Sequence, residues 1–558
     1  MLKKQYIYLF LLLFSLWSSC AFAQDLFESA KSALLGKSTP GLQELLEKTS
    51  IKIESVTLEP AELKRFYSLR GYKPVWNADT KEGRAALKDF MDNISSFTRY
   101  HGLQEKKYPY QLFEKLADSQ KEEDSTRLEL LVTHWLLRLA HEMHGDSVNL
   151  ALLYPGWTFR RKPLDAAEEL EKAVKENRVY EFLDGLAPEN PAYQRLAREL
   201  DKYRAIAEKG PWPAVTPGPT LRPGDRDPRV AELRQRLAAE GYLAFTAAAG
   251  DMAGESSSPD FYDESLLVTV ENYQSRNGLD PDGNVGVKTI SALNVPVSRR
   301  VDQIIANMER WRHMPETLPS RYAAVNIASA EVEVIEDGKR LYWGPVVVGR
   351  PDRKTPFIYS AIRSVIFNPS WHVPDKIARH DILPKLRKDP HYLEKMGFVI
   401  SGSGLDSEDG TEIDWESLRE SEFHFRLRQA PGDLNSLGRI KFDFDNNFSV
   451  YMHGTPHKEL FEKADRNKSS GCVRLRDPDL FAALVLSRNE GEWTESRVQE
   501  EIGKGKTRWL KVSDPLPLYF VYWSVFPPED DGPVNFRNDV YGYDRFLMET
   551  LRKNGFGE

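Results

Sequence analysis

Residues 440–454 have the sequence IKFDFDNNFSVYMHG, and this stretch decides the fold of the C-terminal part of the chain. Apolar and polar residues alternate on both sides of two adjacent asparagines, which is the pattern of two half-buried strands joined by a turn. Ser449, Tyr451 and His453 are predicted to share the polar face. The apolar face is predicted to carry Ile440, Phe442, Phe444, Phe448, Val450 and Met452.

The chain from about residue 320 onward continues this two-residue period. Residues 331–334 alternate glutamate with valine, and Asp337-Gly338 supplies the residues that a tight hairpin turn favours. Residues 346–348 form a second apolar strand. Residues 477–486 begin with Asp-Pro, which is typical of a helix N-terminus. The C-terminal part is therefore predicted to be mostly β, with few helices.

Two short segments carry residues for covalent chemistry. His453 ends a predicted strand, and Cys472 follows nineteen residues later. A thiol attacks as its thiolate, and a nearby imidazole can take the proton. A loop of this length can bring the two side chains together. The pair therefore indicates acyl transfer through a thioester.

The residues around the cysteine fit that chemistry. Gly471 allows a close approach and frees amides that can stabilise an oxyanion. Arg474 adds positive potential, which favours the thiolate or binds a substrate carboxylate. Plainer interpretations exist for each residue. The cysteine can be a small buried hydrophobic residue, the histidine a surface residue, and Arg474 a partner of Asp477 or Asp479.

The N-terminus has the features of an export signal. Lysines precede an apolar run over residues 6–17, and residues 21–23 form an A-x-A cleavage pattern. Residues 1–23 are therefore predicted to be a signal peptide. Two alternatives are an uncleaved anchor, which would associate the protein with the membrane, and lipid attachment at Cys20.

Length and composition limit the number of domains and the kinds of partner that the protein can have. A chain of 558 residues predicts three or four domains at ~150 residues each. The formal charge of -8, without a long single-sign run, argues against a nucleic-acid partner. The chain has two cysteines, so cleavage of the signal would leave Cys472 without an intramolecular disulfide partner.

The rest of the chain divides by composition. Residues 24–206 are predicted to be mainly helical, and Thr126 with Glu129 has the pattern of a capping box. Residues 207–223 contain five prolines and two glycines, which is typical of a stiff linker. Residues 224–296 are predicted to form a compact module of three helices.

The cysteine segment resembles the signature of L,D-transpeptidases with a YkuD-type catalytic domain. The matching residues are His453, Ser470, Gly471, Cys472, Val473 and Arg474. Ser470 stands where many members have a second histidine, and Gly454 stands where the larger members often have aspartate. Further segments resemble the larger Gram-negative members: 348–350, 355–356, 368–371, 373–374, 429–432, 435–439 and 441–442.

This resemblance implies a multidomain α+β protein. Residues 24–206 resemble the helical scaffold domain, and residues 224–296 resemble a peptidoglycan-binding module, which follows the Pro-rich linker 207–223. Residues 297–558 would form a mostly β, YkuD-type catalytic domain. The segment from about 376 to 430 would be a lid insertion over the active site.

The resemblance also implies the reaction and the site. The enzyme would join peptide stems of peptidoglycan by 3-3 cross-links in the periplasm, with release of D-alanine and without a metal or cofactor. The implied catalytic residues are Cys472, His453, Gly471, Ser470 and Arg474. The implied substrate-binding residues are Trp371, Asn435, Gly454 and Tyr451.

Three other functions compete with this one. Water could replace the acceptor amine, which would make the same cysteine a carboxypeptidase or hydrolase. A zinc amidase or carboxypeptidase would need a His/Asp/His ligand set, but the histidines at 372, 380, 391 and 424 show no recognised spacing. His141 and His144 likewise lack the i,i+4 spacing of a zinc-peptidase helix. A non-catalytic wall-binding scaffold protein would keep its function without Cys472.

Overall fold

The structure is a computed structural model. It describes residues 42–103, 108–159, 161–244, 258–401 and 410–553. The predicted signal peptide and Cys20 lie outside these ranges. Within them, no helix combines the length and the apolar character that crossing a bilayer requires.

The N-terminal region is helical, as its periodicity predicts. A small hairpin of β1 (Ile51–Ile53) and β2 (Val56–Leu58) lies near its beginning. The described helices are α1 (Leu42–Leu46), α2 (Pro60–Leu69), α3 (Lys81–Tyr100), α4 (Tyr110–Asp118), α5 (Glu122–His144), α6 (Leu150–Leu153), α7 (Ala166–Lys175), α8 (Val179–Gly185) and α9 (Pro191–Glu208).

Helix α5 is buried along most of its length and begins earlier than the sequence pattern predicts. The predicted capping box at Thr126 is wrong, because the helix already starts at Glu122 with acidic residues in its first turn. Those charges favour the helix N-terminus through its dipole. Glu129 is buried instead, and its carboxylate accepts hydrogen bonds from the backbone N–H groups of Val75 at 2.6 Å and Trp76 at 2.9 Å.

The three-helix module has its own hydrophobic core. Its helices are α10 (Pro228–Glu240), α11 (Glu264–Arg276) and α12 (Val287–Leu293). Gly241 ends α10 in the left-handed conformation, at φ +91°. The preceding Pro-rich segment is not a free spacer, because Val215 and Leu221 are buried in this core. The N–H of Val215 also donates to Asn294 Oδ1 at 2.8 Å.

Helix α13 (Val297–Arg312) connects the scaffold to the C-terminal domain. Arg310 donates to the carboxylate of Asp544 at 2.6 Å, and both side chains are buried. Arg312 donates to the hydroxyl of Tyr193 in α9 at 3.1 Å. These buried contacts connect α13 to α19 of the C-terminal domain and to α9 of the N-terminal region.

The C-terminal domain is mostly β, as predicted. Its remaining helices are α14 (Asp375–Ile377), α15 (Leu383–Leu386), α16 (Tyr392–Lys395), α17 (Pro478–Leu486), α18 (Glu495–Gly503) and α19 (Tyr543–Lys553). Its strands are β3 (Arg321–Asn326), β4 (Glu331–Glu336), β5 (Lys339–Gly349), β6 (Ile358–Phe367), β7 (Trp371–His372), β8 (Phe398–Ser401), β9 (Arg426–Gln429), β10 (Ile440–Phe444), β11 (Met452–His453), β12 (Asn467–Ser469), β13 (Val473–Leu475), β14 (Arg508–Val521), β15 (Val525–Phe526) and β16 (Asn535–Phe536).

The main sheet closes on itself. Its strand order is β12-β5-β13-β11-β10-β6-β14-β3-β4, and β4 also pairs with β5. The predicted hairpin turn between β4 and β5 is confirmed, since Asp337 and Gly338 have φ values of +49° and +75°. Two positive φ angles are the requirement of the tight turn that Asp-Gly favours.

The hairpin that begins with Ile440 differs partly from its prediction. β10 alternates buried and half-buried residues as expected. The returning strand is shorter than predicted, because Ser449 has a φ of +55° and only Met452–His453 pairs as a strand. Phe448 is exposed instead of lying on the apolar face.

The described residues between β6 and β10 form a small subdomain, which we call the lid subdomain (residues 371–401 and 410–437) after the predicted lid insertion. Its sheet has the order β7-β9-β8 and is separate from the main sheet. Its hydrophobic core is also separate and includes Trp371, Leu386, Trp415 and Leu437.

Candidate active site

Strands β10, β11 and β13 lie side by side and present one polar face. β11 and β13 are parallel, with His453 opposite Arg474 and Met452 opposite Val473. Met452 and Val473 are fully buried on the core side. Because side chains alternate along a strand, the preceding pair, Tyr451 and Cys472, falls on the same face as His453 and Arg474. The fold therefore brings the predicted nucleophile and the predicted base to diagonal positions on neighbouring strands.

Cys472 is half-buried and is held by Tyr451. Burial raises the pKa of the Cys472 thiol, and this effect outweighs the hydrogen bonds that the backbone and the phenol of Tyr451 make to the sulfur. The rings of Tyr451 and His453 are 5.6 Å apart between centroids. Tyr451 therefore contacts both members of the predicted catalytic pair. Because its pKa is raised, the Cys472 thiol is protonated near neutral pH.

His453 is buried, with 4% of its surface exposed. Its Nδ1 lies 2.5 Å from the carbonyl oxygen of Gly454, which assigns the ring proton to Nδ1 and leaves Nε2 as the basic nitrogen. Burial, reinforced by the cation of Arg474, lowers the pKa of His453 to about 3. The imidazole is therefore neutral over the whole physiological pH range.

Two cations face this pair. Arg474 and Lys441 both lower the pKa of Cys472 and both oppose protonation of His453. Lys441 lies over the ring of Tyr451 at 4.4 Å. Among the described residues no hydrogen bond or ion pair engages the guanidinium of Arg474. The site therefore has positive potential that suits a thiolate, an oxyanion or a carboxylate.

The plainer interpretation of Arg474 does not fit the structure. Asp477 pairs with Arg476 at 2.7 Å, and Asp479 accepts a hydrogen bond from Gln499. The two carboxylates that could have neutralised Arg474 are thus directed to other partners.

The loop before Cys472 is organised by hydrogen bonds. Gly471 has a φ of +118°, which favours glycine. Its N–H donates to Ser469 Oγ at 3.1 Å, so this amide is not free for an oxyanion as the sequence suggests. Ser469 Oγ in turn donates to the carbonyl of Cys472 at 2.6 Å. The N–H of Cys472 itself has no hydrogen-bond partner within the described ranges, and it is the backbone donor beside the sulfur.

Ser470 is engaged by a side chain that the sequence analysis did not single out. The guanidinium of Arg353 donates to Ser470 Oγ at 3.0 Å. This contact fixes the Ser470 side chain within the loop.

The implied substrate-binding residues fall into two groups. Tyr451 lies at the sulfur, where burial raises the pKa of its hydroxyl, and the indole of Trp371 is close enough to that hydroxyl to oppose part of the rise. Asn435 is 1% exposed, and its side chain bonds backbone groups of Pro369, Ala430 and Leu437 at 2.8–3.0 Å. The structure thus favours a loop-fixing role for Asn435.

Gly454 acts through its backbone. Its carbonyl accepts the hydrogen bond of His453, and its N–H donates to the carbonyl of Ile440 at 2.9 Å. A side chain at this position would first meet the ring of Pro478 at 3.3 Å. Gly454 therefore orients the imidazole through its backbone carbonyl, and its lack of a side chain lets Pro478 pack close to it.

Thr355 is a further residue that supports the loop. Its hydroxyl donates to the carbonyl of Gly471 at 2.8 Å and accepts from the N–H of Gly349 at 2.8 Å. The sequence contained a signal for it, because Thr355-Pro356 was one of the resembling segments. Lys441 had such a signal too, yet its position beside the thiol follows only from the strand order. Within the described ranges, no cluster of three or more metal-ligating side chains is present.

The raised thiol pKa predicts the pH dependence of Cys472 alkylation. The ordinary pKa is 9.0, and burial moves it upward, so the thiolate fraction increases up to and beyond pH 9. The rate constant with iodoacetamide is expected to rise about tenfold per pH unit between pH 7 and 9. Lys441→Gln should move the profile to higher pH, because this cation lowers the pKa. A plateau reached below pH 7 would instead indicate a resting thiolate–imidazolium pair.

Thr355→Val is expected to weaken the loop without changing the volume of the side chain. The carbonyl of Gly471 and the N–H of Gly349 would each lose a buried partner, which costs ~1–3 kcal/mol for a buried unsatisfied group. Chemical denaturation should show this loss, and thiol acylation by a stem peptide should slow. Thr355→Ser keeps the hydroxyl and is the matched control. Equal stability of the two variants would remove Thr355 from this role.

Comparison with known proteins agrees with this organisation. Residues 320–490 match the family described as "L,D-transpeptidase catalytic domain", residues 61–200 match the "Scaffold domain", and residues 226–293 match the "Putative peptidoglycan binding domain". The chain thus combines a segment that matches the YkuD-type L,D-transpeptidase catalytic domain with segments that match a scaffold domain and a peptidoglycan-binding domain.

One curated relative is from Haemophilus influenzae and is named "Putative L,D-transpeptidase". It is 32% identical over 287 residues, which are 50% of this chain and 57% of the relative. The chain therefore aligns with little more than half of that relative's length.

Two solved structures of L,D-transpeptidases are also similar. One is from Mycobacterium smegmatis, at 12% identity and a TM-score of 0.18, and the match covers 36% of this chain and 58% of that one. The other is from Xylanimonas cellulosilytica, at 14% identity and a TM-score of 0.17, and the match covers 55% and 99% of the two chains.

Proposed function

We propose that this chain forms 3-3 cross-links between peptide stems of peptidoglycan through a thioester on Cys472. The supporting observation is the shared face of β11 and β13, on which Tyr451 and His453 lie beside Cys472 and Arg474. A thiol next to a neutral imidazole, a hydroxyl and an uncommitted guanidinium is suited to acyl transfer.

In the first half-reaction, Cys472 Sγ attacks the carbonyl carbon at the L-centre of the diamino acid in a tetrapeptide stem. His453 Nε2 takes the thiol proton as the sulfur–carbon bond forms. The Cys472 N–H and the Tyr451 hydroxyl stabilise the oxyanion. The bond to D-alanine then breaks, and His453 returns its proton to the leaving amine.

In the second half-reaction, the side-chain amine of another stem attacks the thioester. His453 takes a proton from this amine and gives it to the departing sulfur, which restores the thiol. The new amide bond is the 3-3 cross-link. If water attacks in place of the amine, the same site hydrolyses the stem, which is the second candidate function. Tyr451 packs partly against the core of the lid subdomain, and a covered site of this kind disfavours water.

Arg474 is the group suited to the carboxylate of the donor stem. Its guanidinium has no directly bonded counter-ion among the described side chains, although the charge of Glu459 acts on it from farther away, and burial lowers its pKa. A carboxylate would supply that counter-ion and form charge-assisted hydrogen bonds. In this account Arg474 selects a stem that ends in a free carboxylate close to the scissile bond.

We place the reaction in the periplasm. The predicted signal peptide at residues 1–23 and the match to a peptidoglycan-binding domain support this proposal. An uncleaved leader would hold the same enzyme at the inner membrane. Either location gives access to the wall, where 3-3 cross-links contribute to wall organisation and cell shape.

Product analysis separates the candidates. The purified chain is incubated with peptidoglycan rich in tetrapeptide stems, and the fragments are separated by chromatography and weighed by mass spectrometry. The proposal predicts 3-3 linked dimers together with released D-alanine, with or without a chelator. D-alanine with tripeptide monomers alone would identify a hydrolase. Loss of all products with a chelator would indicate a metal amidase. Fragments identical to those of untreated peptidoglycan would indicate a non-catalytic binding protein.

A further inference from the structure

The turn after β5 links the lid subdomain to the catalytic loop. Arg353 in this turn is largely buried, and its guanidinium contacts Asp381 of the lid subdomain at 2.5 Å. The same group donates to Ser470 Oγ at 3.0 Å. Arg350 adds a second contact to the carboxylate of Asp381, at 3.5 Å. One carboxylate of the lid subdomain is therefore held by two arginines of the barrel, the name we give to the closed main sheet and its turns.

The turn that contains Asp381 is packed into the core of the lid subdomain. It lies in a single turn of π-helix, Ala378–Ile382, and both terminal residues of this turn are buried in the lid core. π-Helical turns are rare and are frequent at functional sites. Since the lid core is separate from the barrel core, the position of Asp381 reports the position of the lid subdomain as a unit.

The other side of the turn packs on the loop of the nucleophile. The N–H of Arg350 donates to the carbonyl of Ser469 at 3.0 Å. The carbonyl of Lys354 lies 3.6 Å from the point where a Cβ on Gly471 would stand. The turn that carries Arg353 is thus in direct contact with the residues that precede Cys472.

We infer that Arg353 and Asp381 are positioning residues that couple the lid subdomain to the catalytic loop through Ser470. In the described arrangement Asp381 neutralises Arg353, and Arg353 orients Ser470 and the Cys472 amide that follows. When the lid subdomain moves away, Arg353 loses its counter-ion and the loop loses its support, so acylation is efficient only with the lid subdomain in place. The consequence for acylation rests on the proposed function, whereas the coupling itself does not.

The test compares Arg353→Gln, Asp381→Asn and the double variant in the full chain. Asp389→Asn is the matched control, since Asp389 is also a lid carboxylate but makes an exposed pair with Lys395. The first readout needs no substrate: the rate at which a bulky maleimide modifies Cys472. The second is the rate of acylation by a tetrapeptide stem, with KM and kcat resolved. Thermal unfolding confirms that each variant is folded, and Arg353→Lys tests whether charge alone suffices.

We expect each single variant to raise maleimide reactivity and lower kcat for acylation by about tenfold, within the ~5–150-fold range of coupling between sites. The double variant should match the single ones, because either change breaks the same link. Maleimide rates equal to those of Asp389→Asn, or strictly additive effects, would overturn the inference. An unacylated wild-type chain with raised maleimide rates in the variants would overturn the proposed function and keep the coupling.

Discussion

Cys472→Ala is expected to abolish cross-linking and D-alanine release. The substitution removes the sulfur that carries the acyl group, and loss of an enzyme nucleophile can lower the rate on the order of 10⁶-fold. Cys472 is small and only half-buried, so the fold should persist. The measurement is the initial rate of dimer formation, paired with a sedimentation assay of binding to peptidoglycan.

Binding provides the control for this variant. The three-helix module has its own core and lies outside the catalytic sheet, so the affinity for peptidoglycan should be unchanged. A Cys472→Ala chain that still forms cross-links at even a hundredth of the wild-type rate would reject the thioester mechanism. Such a result would leave another group as the nucleophile.

His453→Asn is expected to slow acylation of Cys472 by ~10²–10⁴-fold, which is the usual contribution of a positioned general base. Asparagine keeps a side-chain donor for the carbonyl of Gly454 but lacks the basic Nε2. The change therefore removes the proton acceptor and preserves the local hydrogen bond. Single-turnover kinetics with a tetrapeptide stem measure the effect.

His457→Ala serves as the control, because His457 lies four residues away and is well exposed. Stability against pH gives an independent check. The folded pKa of His453 is about 3, below its ordinary value of 6.5, so the unfolded chain binds the proton first as pH falls. His453 therefore costs stability between pH 6.5 and 3, and His453→Asn should lose less stability than wild type between pH 7 and 5. A near-normal acylation rate in His453→Asn would exclude His453 as the base.

Local patterns predicted the parts of the fold that depend on neighbours in sequence. The Asp337-Gly338 turn follows from backbone preference, and the burial pattern of β10 follows from its alternation. The proximity of His453 and Cys472 could be anticipated, because His453 lies at the end of a predicted strand. The loop from His453 to Cys472 is long enough to bring the two side chains together.

Long-range contacts account for what the sequence did not reveal. The capping box at Thr126 failed because Glu129 satisfies backbone groups of a distant segment. Residues 207–223 have the proline-rich composition of a linker, yet Val215 is buried in the core of the three-helix module. Arg353 lies more than a hundred residues from Ser470, and no local pattern indicates their contact. The hydrogen bond from the Gly471 N–H to Ser469 Oγ likewise depends on the loop conformation, which the sequence pattern does not reveal.

The most direct test of the account is the intact mass of the protein during the reaction. After brief mixing with a tetrapeptide stem and acid quenching, the wild-type chain should gain the mass of the stem minus D-alanine, and peptide mapping should place it on Cys472. The adduct should disappear when an acceptor amine is added. Release of D-alanine without any adduct on Cys472, or an adduct on a different residue, would contradict the account.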